Sequence, residues 1–229
     1  MTRIVDRLEK FYGRPKPPQA ILRSLSGKAD AYEMILYANC GYPATDAACT
    51  KGFEILRREI GLRPQQILSA PETKLLAAAR ACGMFPEKRV ERWREIAARV
   101  KYEFGGDLGS ALKRPLKEAR KALKLFPTIG DPGADKILLF TKTTPVAAVP
   151  SNCVEVPVRL LLGEPKNNYP QNYRAAQEAL RAELPAECHA LLRAYLLLKQ
   201  HGQEICKRTR PLCEQCPVSS DCAYFQRLQ

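Results

Sequence analysis

Four cysteines near the C-terminus constrain the fold of this chain more than any other feature. Cys206, Cys213, Cys216 and Cys222 form a C-x6-C-x2-C-x5-C pattern within the segment HGQEICKRTRPLCEQCPVSSDCAYF. Four thiols this close in sequence predict one metal centre or two disulfides. The other five cysteines are scattered singly, which is typical of a reducing cytosol and disfavours disulfides. We therefore expect a metal site with four thiolate ligands.

The residues alone do not identify the metal. Both zinc and an iron–sulfur cluster accept four thiolates. Structural zinc sites usually carry two C-x2-C pairs, whereas this segment has one such pair with a single cysteine on either side. Zinc and an iron–sulfur cluster therefore both stay open at this point.

The chain also carries a large excess of positive charge. It has 37 lysine and arginine residues against 24 acidic residues, a formal net charge of +13 and a pI near 9.4. Such an excess favours a polyanionic partner, most often nucleic acid, although a solubilising charge spread over every face is the alternative. Neither a secretory leader nor an apolar run of membrane-spanning length is visible, so we expect a cytosolic protein without membrane contact.

Apolar periodicity predicts an all-α fold, because strand and hairpin patterns are nearly lacking in the sequence. We expect helices over 31–40, 45–61, 69–83, 86–106, 112–126, 133–140, 154–162, 171–184 and 186–202. The 86–106 segment is amphipathic, with one apolar stripe formed by Val90, Trp93, Ile96, Ala97 and Val100.

Helix ends are predicted from capping residues. Thr45 is expected to cap one helix that stops at Gly61. Ser69, with Glu72 three residues later, predicts a capping box for a helix that stops at Gly83.

The cysteine spacing and three further segments, LLLKQHGQEIC, ATDAACTKGFEIL and GMFPEKRVERWREIA, resemble the endonuclease III branch of the helix-hairpin-helix DNA glycosylase superfamily. The resemblance runs from about residue 30 to the end. It implies two helical lobes: a barrel over 30–146 that ends in the hairpin, and a cluster lobe of 1–29 plus 147–229, with DNA in the cleft between them. It also implies a [4Fe–4S] cluster on the four cysteines, in preference to zinc, and a monomer that binds damaged double-stranded DNA in the bacterial or archaeal cytosol, at the nucleoid.

The resemblance places the hairpin at FPTIGDPGA, residues 126–134, where the family reads roughly L-P-G-V-G-x-K-T-A. Thr128 stands in the place of the first glycine and Gly130 is retained, so both are implied to contact DNA. Asp131 adds a negative charge where a phosphate would bind. The turn is therefore expected to persist with a weakened grip on the anion.

Both catalytic places of the family are changed. Pro132 takes the place of the lysine nucleophile, and Pro150 takes the place of the aspartate; a two-residue shift would put Asn152 there instead. Other residues could carry relocated chemistry, although a simple surface ion pair is the alternative explanation for them. These candidates are Asp135, Lys136 and Glu155.

Other residues are candidates for DNA contact. Lys207, Arg208 and Arg210 lie on the loop between the first two cysteines, which meets the DNA backbone in the family; the alternative is a solvated loop. Asn39 and Tyr42 precede the ATD segment, where the family places a residue that fills the gap left by an extruded base. Tyr42 could stack on a base or pack inside the protein.

Three functions are compatible with the sequence. The first is a DNA-binding repair protein of this superfamily that has lost the usual chemistry. The second is an active glycosylase or endonuclease with relocated residues. The third is a metal-stabilised helical protein that binds RNA or another protein.

Overall fold

The computed structural model describes residues 1–17, 29–41 and 45–229. Within these ranges every regular element is a helix and there is no strand, so the predicted all-α class is confirmed. Among the described helices, none has both the length and the apolar character to cross a membrane.

The chain divides into two compact units. The hairpin unit is Pro18–Thr143, and the cysteine unit is Met1–Pro17 with Thr144–Gln229. The described helices of the hairpin unit are α2 (Ala31–Ala38), α3 (Asp46–Glu59), α4 (Pro64–Ser69), α5 (Glu72–Ala81), α6 (Pro86–Glu103), α7 (Leu108–Leu112), α8 (Leu116–Leu123) and α9 (Asp131–Phe140). Those of the cysteine unit are α1 (Thr2–Tyr12), α10 (Glu155–Leu161), α11 (Tyr169–Glu183), α12 (Cys188–Glu204) and α13 (Ala223–Gln226), with 3-10 turns at Cys213–Gln215 and Ser219–Asp221.

Helix α6 supplies much of the core of the hairpin unit. It packs against α4 and α5, and α5 packs against α3. All five residues of the predicted apolar stripe are buried, and Trp93 is fully so, which confirms the predicted face. Helices α3 and α5 approach closely at Gly52, where an added Cβ would lie 2.1 Å from the Cys82 sulfur. Any larger residue at this position would force the two helices apart.

Most predicted helix ends agree with the structure. The Thr45 hydroxyl accepts a hydrogen bond from the Ala48 amide at 3.2 Å, and Gly61 and Gly83 both have positive φ angles after their helices. The predicted capping box at Ser69 is wrong. Ser69 ends α4, because Pro71 lies at the N-cap of α5 and the residue before a proline is held in an extended conformation.

The helix predicted over 112–126 is also two elements. Helix α7 ends at Leu112, and α8 begins only after Pro115. Proline has no amide hydrogen to donate, so a continuous helix cannot run through this position. Helix α1 was not predicted.

Helix α1 is joined to the far end of the chain within the cysteine unit. It packs against α12, and Arg193 of α12 binds Asp6 and Glu9 at 2.8 and 2.9 Å. Arg7 donates to the Pro217 carbonyl at 2.6 Å and pairs with Asp221. The N-terminal helix therefore braces the loop that carries the four cysteines.

Candidate metal centre and nucleic-acid interface

The four C-terminal cysteines line one cavity in the cysteine unit. Apolar side chains such as Leu160, Ile205 and Phe225 form much of the rest of its wall. Among the described residues, no three cysteine, histidine or acidic side chains converge closely enough to hold a single metal ion. The cysteines thus surround a space instead of meeting at one point.

Three of the thiols in this cavity, those of Cys206, Cys213 and Cys216, resist ionisation. Burial is the main cause that raises the pKa of Cys206 and Cys213 and brings the pKa of Cys216 to about 11. Nearby thiolates raise these pKa values further, whereas Arg159 opposes the shift at Cys206 and Cys213. As free thiols they would be protonated near neutral pH, so a metal that binds here must displace protons.

Arg159, a residue of α10, holds the segment that follows the first cysteine. Its guanidinium donates to the carbonyls of Lys207 and Arg208 at 2.9 and 2.7 Å, and one nitrogen lies 3.7 Å from the Cys206 sulfur. The side chain is buried and lines the cavity, yet its Nε donor has no hydrogen-bond partner. A buried donor of this kind calls for an acceptor, and the sulfur atoms of an anionic cluster in the cavity would supply one.

His201, in α12, makes a second polar contact to the cysteines. Its Nε2 lies 3.6 Å from the Cys216 sulfur and its Nδ1 lies 2.9 Å from the Tyr12 hydroxyl. Burial lowers the pKa of His201 to about 4, so the imidazole is neutral, and burial also raises the pKa of Tyr12. A thiolate at Cys216 can only accept a hydrogen bond, so Nε2 would carry the proton and Tyr12 would donate to Nδ1.

The predicted cationic loop is presented to solvent. Lys207, Arg208 and Arg210 are all exposed. Arg208 forms a 3.1 Å ion pair with Glu155, whose side chain is only 13% exposed. One of the three candidate catalytic residues therefore serves as the anchor of a loop cation.

In the hairpin unit, Thr128 adopts the backbone conformation that glycine would favour. Its φ angle is 66°, in the left-handed region, whereas the retained Gly130 has an extended backbone. The Thr128 hydroxyl donates to the Asn39 side chain at 3.2 Å, and Asn39 donates to the Pro127 carbonyl at 3.2 Å. Asn39 is 1% exposed, so its side chain holds the hairpin from inside.

Two substitutions at Thr128 measure the cost of this conformation. Thr128→Gly removes the backbone strain, about 1–2 kcal/mol, whereas Thr128→Ala keeps the strain; both lose the hydrogen bond to Asn39. We expect the glycine variant to be more stable than the alanine variant by about 1 kcal/mol in denaturant unfolding. Glu95, in the middle of α6, is the control: there the alanine variant should be more stable than the glycine variant, because glycine is the weaker helix former. Equal stabilities of the two Thr128 variants would contradict this account.

The start of α9, where the resemblance predicts a phosphate contact, departs from the family in two ways. Pro132 lies in the first turn of the helix and offers no amide hydrogen. Asp131 places a carboxylate there, and Lys124 pairs with it at 2.8 Å. Fewer backbone donors and an added negative charge reduce the attraction of this helix end for a phosphate.

The other candidate catalytic residues in the hairpin unit also have structural contacts. Asp135 is 1% exposed and its carboxylate binds Arg120 Nε at 2.6 Å. The Lys136 ammonium lies 5.6 Å from the centre of the Phe140 ring. Neither observation places a carboxylate and an amine together in an open site.

Three predicted positions remain to be placed. In the cysteine unit Pro150 is buried, whereas Asn152 is exposed at the turn before α10. Tyr42, predicted to contact DNA, lies outside the described residues.

A third loop was missed by sequence reasoning. Met84 and Phe85 are 59% and 60% exposed, and Phe85 has a left-handed φ of 61°. Buried Arg89 donates to the Met84 carbonyl at 3.1 Å and to the Asn39 carbonyl at 2.8 Å. Through Arg89 and Asn39, this apolar turn is connected to the hairpin. Two large apolar residues between a glycine and a proline were the available signal.

The chain has relatives of known name. It is 27% identical over 183 residues to Endonuclease III of Thermotoga maritima. The aligned region covers 80% of this chain and 76% of that protein. It is 23% identical over 172 residues to Thymine-DNA glycosylase of Aeropyrum pernix, spanning 75% and 72% of the two chains. A comparison with models of known protein families gives no match.

Solved structures share the fold. A trapped endonuclease III–DNA covalent intermediate matches with a TM-score of 0.73 at 18% identity, covering 99% of this chain and 96% of the other. A thermostable thymine-DNA glycosylase also matches with a TM-score of 0.73, at 22% identity and 98% and 96% coverage. The chain therefore has the fold of endonuclease III, and its sequence is similar to those of enzymes named Endonuclease III and Thymine-DNA glycosylase.

Proposed function

We propose that this protein binds damaged or distorted duplex DNA and lacks the lysine and aspartate chemistry of its superfamily. The observation that carries the proposal is a loop of exposed cations held at both ends by cavity-lining cysteines. We further propose that the hairpin unit and the cysteine unit correspond to the two expected lobes, 30–146 and 1–29 plus 147–229.

The four cysteines would hold a [4Fe–4S] cluster. Zinc with four thiolates brings the sulfurs within about 4 Å of one another, since each Zn–S bond is about 2.3 Å. The four cysteines line one cavity, and no three of them converge closely enough to hold a single metal ion, which suits a larger inorganic core. The unpartnered Arg159 donor and the His201 contact to Cys216 are further features that fit an anionic group. When bound, the cluster would cross-link the loop.

A cross-linked loop is a good phosphate contact because its cations are held in place before DNA arrives. Arg159 fixes the backbone of Lys207 and Arg208, and Glu155 orients the Arg208 side chain. Contacts of this kind set the position of a protein on DNA and carry little sequence information. They support a binding role that does not depend on one particular sequence.

The contacts of the remaining residues support the loss of the usual chemistry. Proline at 132 has no side-chain nucleophile, and neither proline nor asparagine can supply the missing carboxylate. The two acidic residues that could replace the missing carboxylate form ion pairs with arginines: Asp135 is buried against Arg120, and Glu155 is paired with Arg208.

The exposed turn at Met84 and Phe85 supports recognition of distorted DNA. Proteins that kink or open a duplex often insert apolar side chains between base steps. The strained backbone of Phe85 and its tie through Arg89 would hold such a wedge in place. Damaged or mismatched sites cost less to unstack, so a wedge favours them.

The test is a duplex-binding titration at several salt concentrations. We expect wild-type affinity to fall steeply with salt, and the triple variant K207A/R208A/R210A to have a log–log slope smaller by about 2.7, or about 0.9 for each lost phosphate contact. At 0.1 M salt this corresponds to binding weakened roughly 500-fold.

A double variant, R174A/R181A, is the control, because both arginines are exposed on α11 of the same unit. Its slope should match that of the wild type. Wild-type binding that ignores salt, or that prefers an RNA duplex over DNA, would contradict the proposed function.

A further inference from the structure

Helix α8 carries a stripe of lysines that the site described above does not use. Lys117, Lys121 and Lys124 are spaced four and three residues apart, so they share one helix face. All three are exposed, whereas Ala119 and Leu123 are buried on the opposite face. We call these three residues the α8 stripe.

One end of the α8 stripe reaches the hairpin. The Lys124 ammonium lies 2.8 Å from Asp131, which is the first residue of α9. At the other end, Lys113 and Arg114 are exposed just before the helix and continue the positive charge. Glu118 is the only acidic residue of α8 and lies about 100° around the helix from Lys117.

The stripe lies beside an anion site that has lost strength. A hairpin normally binds a phosphate through backbone amides at the start of its second helix. Here Pro132 removes one amide, and Asp131 introduces a repelling carboxylate that Lys124 partly neutralises. Positive side chains next to a weakened amide site can restore the lost attraction, since a lysine contact carries a full charge.

We propose that the α8 stripe, and not the hairpin amides, makes the main contact of the hairpin unit with the DNA backbone; this inference rests on the proposed function. The stripe extends from Lys117 to Lys124, which is seven steps of 1.5 Å or about 10.5 Å. Phosphates of one strand rise about 3.4 Å per nucleotide, so the stripe matches roughly three of them.

Salt dependence separates the two kinds of contact. A lysine that neutralises a phosphate releases a counterion, whereas a neutral backbone amide releases none. A contact made by the stripe therefore adds to the salt slope, and a contact made by amides does not. Lys117 and Lys121 are the informative pair, because Lys124 is already engaged with Asp131.

The experiment compares K117A/K121A with R58A/K74A in salt-titrated binding to one duplex. Arg58 and Lys74 are exposed on α3 and α5 of the same unit, so both variants lose two positive charges. For the stripe variant we expect the slope of log affinity against log salt concentration to be smaller by about 1.8. Its binding at 0.1 M salt should be roughly 50-fold weaker. The control should keep the wild-type slope, and K117R/K121R should restore it.

Equal slopes for the stripe variant and the control overturn the inference. So does a loss of slope that arginine fails to restore, provided that all variants melt at the wild-type temperature. A wild-type protein that binds no duplex overturns the proposed function and this inference together. Steep wild-type binding with an unchanged stripe variant overturns the inference alone.

Discussion

The Cys213→Ala protein is expected to purify without iron and with a loosened C-terminal loop. Cys213 lines the cavity with three other cysteines, and a cluster needs all four thiolates. Metal affinity at such sites is folding free energy, which is about 10 kcal/mol or more for structural metals. We expect a loss on the order of 5 kcal/mol, which for a chain of this size lowers the melting temperature by roughly 10–20 °C. Iron analysis and thermal unfolding measure both effects.

Cys188→Ala is the matched control for this experiment. Cys188 is a half-buried cysteine of the same unit, at the start of α12, and it does not line the cavity. Its alanine variant should keep a full complement of iron and a melting temperature within a few degrees of the wild type. If the two variants hold equal iron, or if the wild type holds zinc, the assigned cluster is wrong.

The wild-type protein is expected to form no covalent adduct with a duplex that contains an abasic site when borohydride is present. In the lyase reaction a lysine amine adds to the sugar C1′, water leaves, and borohydride reduces the resulting imine to a stable amine. Pro132 has no amine to start this sequence. Without a positioned base, the rate of the reaction falls by a factor on the order of 10²–10⁴ from the loss of acid–base catalysis alone. Denaturing gels of protein and labelled DNA show any adduct directly.

Two variants make the trapping result decisive. Pro132→Lys places an amine in the first turn of α9, and a faint adduct from this variant would show that the duplex reaches the hairpin. Lys136→Ala tests whether Lys136, which lies one turn further along α9, has taken over the role of the missing lysine. An adduct with the wild type that disappears in Lys136→Ala would mean that the chemistry has moved, and the proposed loss of catalysis would be wrong.

Sequence reasoning was strongest where the pattern is local. The spacing of four cysteines predicted that they face a common centre, and all four line one cavity. The stripe around Trp93 predicted a buried face because helical periodicity repeats within a few residues. The caps at Thr45 and Gly61 follow from equally local rules.

Features that depend on distant segments could not be predicted in this way. Tyr12 and His201 meet across 189 residues, and no pattern in either segment points to the other. The bonds from Arg159 to the loop carbonyls likewise depend on how α10 packs. The positive φ of Thr128 was likewise hidden, since threonine rarely adopts it.

The bracing of the cysteine loop by α1 has a consequence for biosynthesis. Arg7 contacts Pro217 across 210 residues of chain, so this bond can form only after Pro217 has left the ribosome. Residues 18–143 emerge earlier and can collapse while translation continues. Helix α1 must wait for these contacts until α12 and the cysteine loop have emerged. A nascent chain stalled before Pro217 should therefore have a protease-sensitive beginning and a protected middle.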